Sequence, residues 1–297
     1  MMQSYGTVIL AGIAAGFINR WILLRYDYRH YPTYPHGHVT HLALGFIAAS
    51  LGAVAIPAIA EPDYVAVTFL TLAAQQFREI RDMERKTLSS LEENKLITRG
   101  HDYIEGIARV FEVRNYLVIL TSLVTSGAAH LWGWPFALAV GPLMIYGTTQ
   151  VMSGLTVGEI ASIEPAEVSF DGALLKVADV PMMNVGFKAT REKILSEALA
   201  VLIHPFDDEG RLTLQSPGQR MAIIHDVTSI LGAKVDISEM ELAPMARMHA
   251  DKGYLAMFIV ANEPDMDVLI EMIKRVPVLE SARSTTLKSY WGRKAAD

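Results

Sequence analysis

The chain has 297 residues, enough for two domains of ordinary size, and 51% of them are hydrophobic while 20% are charged. A net charge of −6 argues against nucleic acid as a partner, and the absence of cysteine excludes disulfide bonds and thiolate chemistry. The long apolar runs all begin before residue 159, so we predict an α-helical membrane domain over residues 1–158, followed by soluble sequence.

Five apolar runs in this domain predict about five transmembrane helices. The second run has no charged residue, whereas the third is so short that it either extends to residue 76 or crosses the membrane only partly. Gly12 and Gly16 in the first run favour close packing of helices within the chain, with a homo-oligomer interface as the alternative. The runs are Gly6–Leu24, Leu42–Ala60, Tyr64–Ala74, Tyr116–Trp132 and Phe136–Val157.

Positively charged residues predict the orientation of these helices. Three arginines, from Arg20 to Arg29, lie between the first two runs, and eight Lys or Arg lie between Arg78 and Arg114. The other short connections carry none, and cytoplasmic loops are the ones enriched in Lys and Arg. We therefore predict a multi-pass protein of the cell membrane with its N-terminus outside, a cytoplasmic loop over residues 75–115, and a cytoplasmic C-terminal domain.

Residues 199–297 predict a cytoplasmic α+β domain. Ser216 and Pro217 are typical of a helix start, Gly232 is typical of a helix end, and residues 253–261 have the unbroken apolar character of a central strand. The resulting order β-α-β-β-α-β is that of a ferredoxin-like domain, whereas the lead-in segment 159–198 has no assigned fold. The predicted strands are 199–205, 234–242, 253–261 and 279–288, and the predicted helices are 217–231 and 266–276.

The segment His101–Leu117 contains both an amphipathic helical pattern and the literal string YIEGIA. This string, together with residues 31–59 and 65–81, resembles the YIEGIA family of endospore-forming Firmicutes over roughly residues 1–290. The resemblance implies an integral membrane protein of spore formation, and it supplies neither a mechanism nor catalytic residues. The motif residues are Tyr103, Ile104, Glu105, Gly106, Ile107 and Ala108.

Three histidines in the string HGHVTH suggest a metal site. His36, His38 and His41 could present imidazole nitrogens to Zn²⁺ or another borderline metal, with a fourth ligand from elsewhere. The alternative is that these histidines donate and accept hydrogen bonds at the membrane interface. Apart from this metal ion, the sequence predicts no cofactor.

Three carboxylates near the predicted membrane boundaries are candidate catalytic residues. Asp102, Glu105 and Glu159 could perform acid–base hydrolysis if two of them met and their pKa values were shifted apart. The alternative is that they are solvated carboxylates at helix ends. Gly106 in the same helix costs about 1 kcal/mol relative to alanine, which suggests close approach of another helix or of lipid headgroups.

A ligand site in the C-terminal domain is predicted at the start of its first helix. Asp207, Asp208, Ser216 and Gly218 lie in or next to the preceding loop, and backbone amides at a helix N-terminus favour an anion. Residues 216–237 also resemble the Pro-Gly turn and first helix of ACT-type ligand-sensing domains. Pairing of edge strands between two such domains is the alternative use of this region.

Two hypotheses for the function follow from these observations. In the first, the lipid bilayer localises the protein, and its cytoplasmic domain recognises a protein partner or a small ligand during spore formation. In the second, the protein is a membrane-associated protease of the aspartic or metal type, or a regulator of one. The sequence leaves enzymatic activity open.

Overall fold

A computed structural model describes residues 2–25, 35–60, 64–77, 79–152, 154–283 and 294. The chain divides into two compact units. The first, called the helical unit, comprises Met1–Thr87 and Ile107–Ser153. The second, called the mixed unit, comprises Leu88–Gly106 and Gly154–Asp297, so it includes the first four residues of the YIEGIA string.

Every one of the five apolar runs forms a helix, in agreement with its composition. The turn between the last two helices is made by Gly133, whose φ of 91° favours glycine, and by a proline in the first turn that follows. The helices of this part of the chain are α1 (Met2–Leu24), α2 (Pro35–Ala60), α3 (Tyr64–Phe77), α4 (Ile80–Glu92), α5 (His101–Trp132) and α6 (Trp134–Val151).

The prediction of about five transmembrane helices is wrong. Among the residues that the structure describes, two helical segments are long and apolar enough to cross a membrane, Tyr5–Leu24 and Gly37–Ala60. The helix α3 has only 14 residues, about 21 Å at 1.5 Å per residue, which is too short to cross a hydrocarbon core of about 30 Å. The apolar parts of α5 and α6 are diluted by polar side chains that the structure buries, namely Thr121, Ser122, Thr125, Ser126 and Thr148.

The predicted orientation loses its support with this correction. An N-terminus outside and a C-terminal domain in the cytoplasm require an odd number of crossings. The two candidate helices give an even number. What the structure supports is the coarser statement that two apolar helices near the N-terminus suit association with a membrane.

Close packing within the helical unit depends on small residues. A Cβ atom added to Gly12 would lie 2.9 Å from the Cβ of Ala53, and one added to Gly16 would lie 2.8 Å from the Cβ of Ala49. On α5, the Ser122 hydroxyl donates a hydrogen bond to the carbonyl oxygen of Ala49 at 2.5 Å. The Ser126 hydroxyl donates one to the carbonyl oxygen of Ala53 at 3.0 Å. Small residues and hydroxyl donors therefore hold α1, α2 and α5 together.

The mixed unit contains two antiparallel sheets. A four-stranded sheet has the order β1-β5-β7-β6, and a three-stranded sheet has the order β2-β3-β4. The strands are β1 (Ala161–Ala166), β2 (Val168–Asp171), β3 (Leu174–Val177), β4 (Val180–Asn184), β5 (Ala198–Pro205), β6 (Met245–Met248) and β7 (Leu255–Val260). The helices are α7 (Val157–Ile160), α8 (Lys188–Glu197), α9 (Asp208–Gln215), α10 (Pro217–Leu231), α11 (Met266–Arg275) and α12 (Glu280–Arg283).

The predicted ferredoxin-like order is wrong at two strands. The segment 234–242 forms no strand, because the carboxylate of Asp236 accepts hydrogen bonds from the backbone N–H of Ile237 and the hydroxyl of Ser238. Such local bonds compete with a strand ladder. After Pro277 the chain forms the helix α12, and residues 284–288 of the predicted last strand lie outside the described part. The position beside β5 is taken instead by β1, from the lead-in segment.

The core of the mixed unit lies against its central strand. All six residues of β7 are buried, as expected from their unbroken apolar sequence. Ala256, Phe258 and Val260 of β7 share one apolar cluster with Leu175 and Val177 of β3, so the two sheets have a common core. Ala200 of β5 belongs to the same cluster, so this core also fixes the strand that precedes α9 and α10.

Candidate functional site

The YIEGIA string begins inside the mixed unit with a buried tyrosine. Gly100, at φ 79°, allows the turn into α5, and its carbonyl accepts the backbone N–H of Ile104. Helical spacing then turns Tyr103 inward, where its side chain is 1% exposed. The Tyr103 hydroxyl contacts both carboxylate oxygens of Asp226 on α10, at 2.9 and 3.0 Å, and donates to that carboxylate.

A histidine completes this arrangement, which we call the Tyr103 cluster: Tyr103, His225 and Asp226. The Nδ1 atom of His225 lies 3.4 Å from Oδ1 of Asp226, and its ring meets the Tyr103 ring edge to face at 6.2 Å. Both His225 and Asp226 are buried. A buried carboxylate is costly unless donors surround it, so the tyrosine hydroxyl is the group that makes this aspartate tolerable.

A cavity of about 340 Å³ lies beside the cluster. Its size suits a small molecule, and its wall combines apolar side chains with a few polar groups, as ligand sites do. On one side it is bounded by the segment after α4, and on the other by the second half of α10 and the residues that follow. The lining residues are Lys95, Leu96, Ile97, His225, Thr228, Ser229, Ala233 and Val235.

The segment that forms one wall of the cavity is held by a buried carboxylate. Glu92 accepts the backbone N–H of Arg99 at 2.7 Å, the Arg99 guanidinium at 2.6 Å and the Lys95 ammonium at 3.1 Å. Burial by itself would raise the pKa of Glu92, but these donors outweigh burial and hold the pKa below its usual range. Residues 92–99 are thereby fixed as a loop closed by one anion and two cations.

Comparison with known proteins places the chain in a family. A family model described as "YIEGIA protein" matches residues 8–289. The chain belongs to the YIEGIA family. Its similarity to "Uncharacterized protein YphB" of Bacillus subtilis (strain 168) is 40% identity over 284 residues, which is 95% of each chain. No solved structure matches the chain.

These comparisons confirm the resemblance inferred from the YIEGIA motif. Neither the family description nor the name of the relative assigns an activity. The Tyr103 cluster gives the first residue of the motif a physical role, because the motif tyrosine anchors the start of α5 to α10 inside the mixed unit.

The residues predicted to bind a ligand lie at the start of α9 and α10. Asp207 caps α9 by accepting the N–H of Gly210 at 2.7 Å, and the exposed Asp208 pairs with Arg211 at 3.1 Å. Ser216 occupies the N-cap position of α10. The residues of α10 that line the cavity belong to its second half and not to its start. A ligand role for Asp207, Asp208, Ser216 and Gly218 therefore stays a prediction.

Two residues predicted for different roles meet each other. A Cβ atom added to Gly218 would lie 2.7 Å from the Cβ of Asp102, so the first turns of α5 and α10 are in close contact. The Asp102 side chain is 54% exposed and lies 3.7 Å from His101. Gly218 therefore serves packing of the YIEGIA helix against α10.

The other catalytic candidates have identifiable surroundings. The Glu159 carboxylate accepts the backbone N–H of Thr156 at 2.7 Å and its hydroxyl at 3.1 Å, which caps the short helix α7. Glu105 is partly buried on α5. Catalysis by Asp102, Glu105 or Glu159 stays a prediction that this geometry does not test.

The histidines predicted to bind a metal ion differ in their surroundings, and the metal site stays a prediction. His41 is buried in the helical unit, where its Nδ1 lies 3.3 Å from Nη2 of Arg20 and its Nε2 lies 3.9 Å from Oε1 of Glu84. Both ring nitrogens thus face other side chains. The side chain of His36 lies outside the described part, and His38 is half-buried. Within the described ranges, no group of three His, Asp or Glu could hold a metal ion.

Sequence reasoning missed the acidic partner of the motif tyrosine and the buried cluster around Arg20. The signal for the first was present, because Asp226 falls on the same helical face as the apolar Ala222 and Ile223. An acidic residue on a buried helix face predicts a hydrogen-bond donor beside it. The signal for the second was Arg20, which the sequence pattern places among the positive residues of the first predicted connection, whereas the structure buries it completely.

Proposed function

We propose that the protein is a membrane-associated binding protein of spore formation, and that its mixed unit binds a small ligand in the cavity beside His225. The cavity carries this proposal, since it combines an apolar wall with hydroxyl, ammonium and imidazole groups on two rigidly held segments. Two apolar helices support the association with a membrane. The role in spore formation rests on the family resemblance.

The Tyr103 cluster supports the proposal by fixing one wall of the cavity. His225 lines the cavity while its neighbour Asp226 is held by the motif tyrosine. Thr228 and Ser229, which also line it, donate their hydroxyl protons to carbonyl oxygens of α10, so their lone pairs can accept hydrogen bonds. A preformed wall of this kind lowers the entropic cost of binding.

A cavity-filling variant tests the proposal. Ala233→Phe places a ring in the cavity without touching Tyr103 or Asp226, and Ala250→Phe is the matched control on an exposed turn. We expect native mass spectrometry of the full-length protein, purified from sporulating cells, to show a bound small molecule in the wild type and the control, and none in Ala233→Phe. In a strain that lacks its own family member, Ala233→Phe should lower the yield of heat-resistant spores.

Two results together would overturn the proposed function. They are a wild-type protein that carries no small molecule and an Ala233→Phe variant that supports normal spore yields. A wild type that carries a protein in place of a small molecule, lost from Ala233→Phe, would also overturn it in favour of a protein partner.

We also propose that the mixed unit faces the cytoplasm. The eight Lys or Arg between Arg78 and Arg114 support this side, since such residues concentrate in cytoplasmic segments. The chain has no cysteine, so Asp208→Cys on the exposed start of α9 introduces a single thiol. A membrane-impermeant maleimide should label this thiol only after the cells are permeabilised, and labelling of intact cells would contradict the proposed side.

A further inference from the structure

Glu84, in the first half of α4, has a buried carboxyl group, and one of its oxygen atoms accepts no hydrogen bond from the described part of the chain. Its side chain is 7% exposed, and its Oε1 atom has no hydrogen-bond partner among the described residues. The Nε2 atom of His41 lies 3.9 Å from this oxygen, which is beyond hydrogen-bond distance. A buried carboxylate that lacks donors is strongly disfavoured relative to its neutral form.

A buried cation lies on the other side of His41. Arg20 on α1 is completely buried, and its Nη2 atom lies 3.3 Å from Nδ1 of His41. Its Nε atom donates to the His41 carbonyl at 3.4 Å, and its guanidinium lies 5.3 Å from the centre of the Phe111 ring. The aliphatic part of Arg20 fills the space above Gly45, where a Cβ atom would overlap Arg20 Cγ.

The contact with Arg20 fixes the protonation of the His41 ring. An arginine side chain can only donate hydrogen bonds, so Nδ1 of His41 is the acceptor. A neutral imidazole then carries its proton on Nε2, the atom that faces Glu84. His41 is therefore a neutral bridge between a permanent cation and a carboxyl group.

The charged groups around Glu84 come from several helices of the unit. Arg20 comes from α1, and His41 and the nearby His38 come from α2. The helix α5 contributes Phe111 and the buried Arg114, and its Glu112 lies 3.9 Å from Arg81 of α4. On α4 itself, Asp82 pairs with Arg85 at 3.0 Å. Burial raises the pKa of Glu84 to about 7, and the charge of Arg20 opposes this rise.

We propose that Glu84 is a proton-binding site of the helical unit, and that the charge of its carboxyl group controls the packing of residues 80–87 against α2. The ligand is a proton exchanged with water, so the step needs no further reactant. In the neutral state the carboxyl group is accommodated as the structure shows. In the charged state it is drawn toward the Nε2 proton of His41 and the charge of Arg20, or toward water, and either movement displaces this half of α4.

The sign of the pH dependence follows from the raised pKa. Between the ordinary value of 4.5 and about 7, the folded protein holds a proton on Glu84 that the unfolded chain has lost. The contribution of this proton to stability is complete below pH 4.5. It is lost as the pH rises through about 7.

The substitution Glu84→Gln tests the proposal, because glutamine imitates the protonated carboxyl group. For the full-length protein in detergent micelles, we expect the wild-type Tm to fall between pH 6 and pH 8 and the Glu84→Gln Tm to stay level. Glu79→Gln, at an exposed position just before α4, is the matched control and should fall like the wild type. The infrared difference spectrum between wild type and Glu84→Gln should contain a protonated-carboxyl band at pH 6 that disappears by pH 8.

A measurement on the wild type alone covers the case in which Glu84→Gln does not fold. Hydrogen exchange of residues 80–87, corrected for the intrinsic effect of pH, should accelerate several-fold between pH 6 and pH 8. Exchange that is equally protected at both pH values would overturn the proposal. So would a protonated-carboxyl band that does not titrate in this range, or parallel Tm curves for the wild type and Glu84→Gln.

Discussion

The helical unit buries the carboxyl group of Glu84 and the mixed unit buries that of Asp226, each on a helix, and the two groups have opposite surroundings. The side chains of Glu84 and Asp226 are 7% and 8% exposed, so their burial is the same. Asp226 receives the Tyr103 hydroxyl on both oxygens, whereas Oε1 of Glu84 has no hydrogen-bond partner in the described part of the chain. The two carboxyl groups therefore differ in their hydrogen-bond donors rather than in their depth of burial.

The side chains next to Glu84 and Asp226 also differ in how directly they contact the carboxyl group. The charge that acts on Glu84 is that of Arg20, which contacts the other ring nitrogen of His41, so the attraction is indirect. Around Asp226 a tyrosine hydroxyl and a histidine nitrogen are in direct contact or close to it. Asp226 is therefore tied to its neighbours by direct hydrogen bonds, whereas Glu84 is not.

The largest expected effect comes from removing the space for Arg20. Gly45→Ala should destabilise the helical unit by about 3 kcal/mol, because the new Cβ atom overlaps the Arg20 side chain and a close-packed interior cannot absorb it. The free energy of unfolding in detergent micelles, measured by SDS titration, checks this value. Gly147→Ala on α6 is the matched control, since a Cβ atom there meets nothing within 4 Å. A Gly45→Ala protein as stable as the control would refute the buried position of Arg20.

Tyr103→Phe is expected to have the next largest effect. It removes the hydroxyl that Asp226 accepts and leaves that carboxylate buried, at a cost of about 2 kcal/mol. Native-state hydrogen exchange in α10 should accelerate roughly 30-fold, since 1.4 kcal/mol corresponds to a factor of ten. Tyr146→Phe, at an exposed position on α6, should leave this exchange unchanged. Unchanged exchange in Tyr103→Phe would show that Asp226 does not depend on the motif tyrosine.

Much of the local structure could be predicted from the sequence, whereas the two clusters could not. The strands β5 and β7 and the helices α10 and α11 follow from short-range patterns of apolar residues, caps and prolines. Tyr103 and Asp226 are 123 residues apart, and their hydrogen bond exists only because α5 and α10 pack together. The β1 strand was missed for a related reason. Its place beside β5 is decided by pairing across the sheet, which short-range patterns do not contain.

The smallest expected effect concerns the glycine of the YIEGIA motif. A Cβ atom at Gly106 would lie 3.6 Å from the Leu279 side chain, an ordinary van der Waals distance, so the mixed unit does not require glycine there. Gly106→Ala should therefore stabilise α5 by up to about 1 kcal/mol, through the higher helix propensity of alanine, and should raise Tm slightly. A loss of Tm would mean that the chain itself needs this glycine. A stabilised variant that fails in spore formation would instead mean that Gly106 is needed for a contact outside the chain, with a lipid headgroup or a partner. The motif glycine would then have a different role from the motif tyrosine, which is structural.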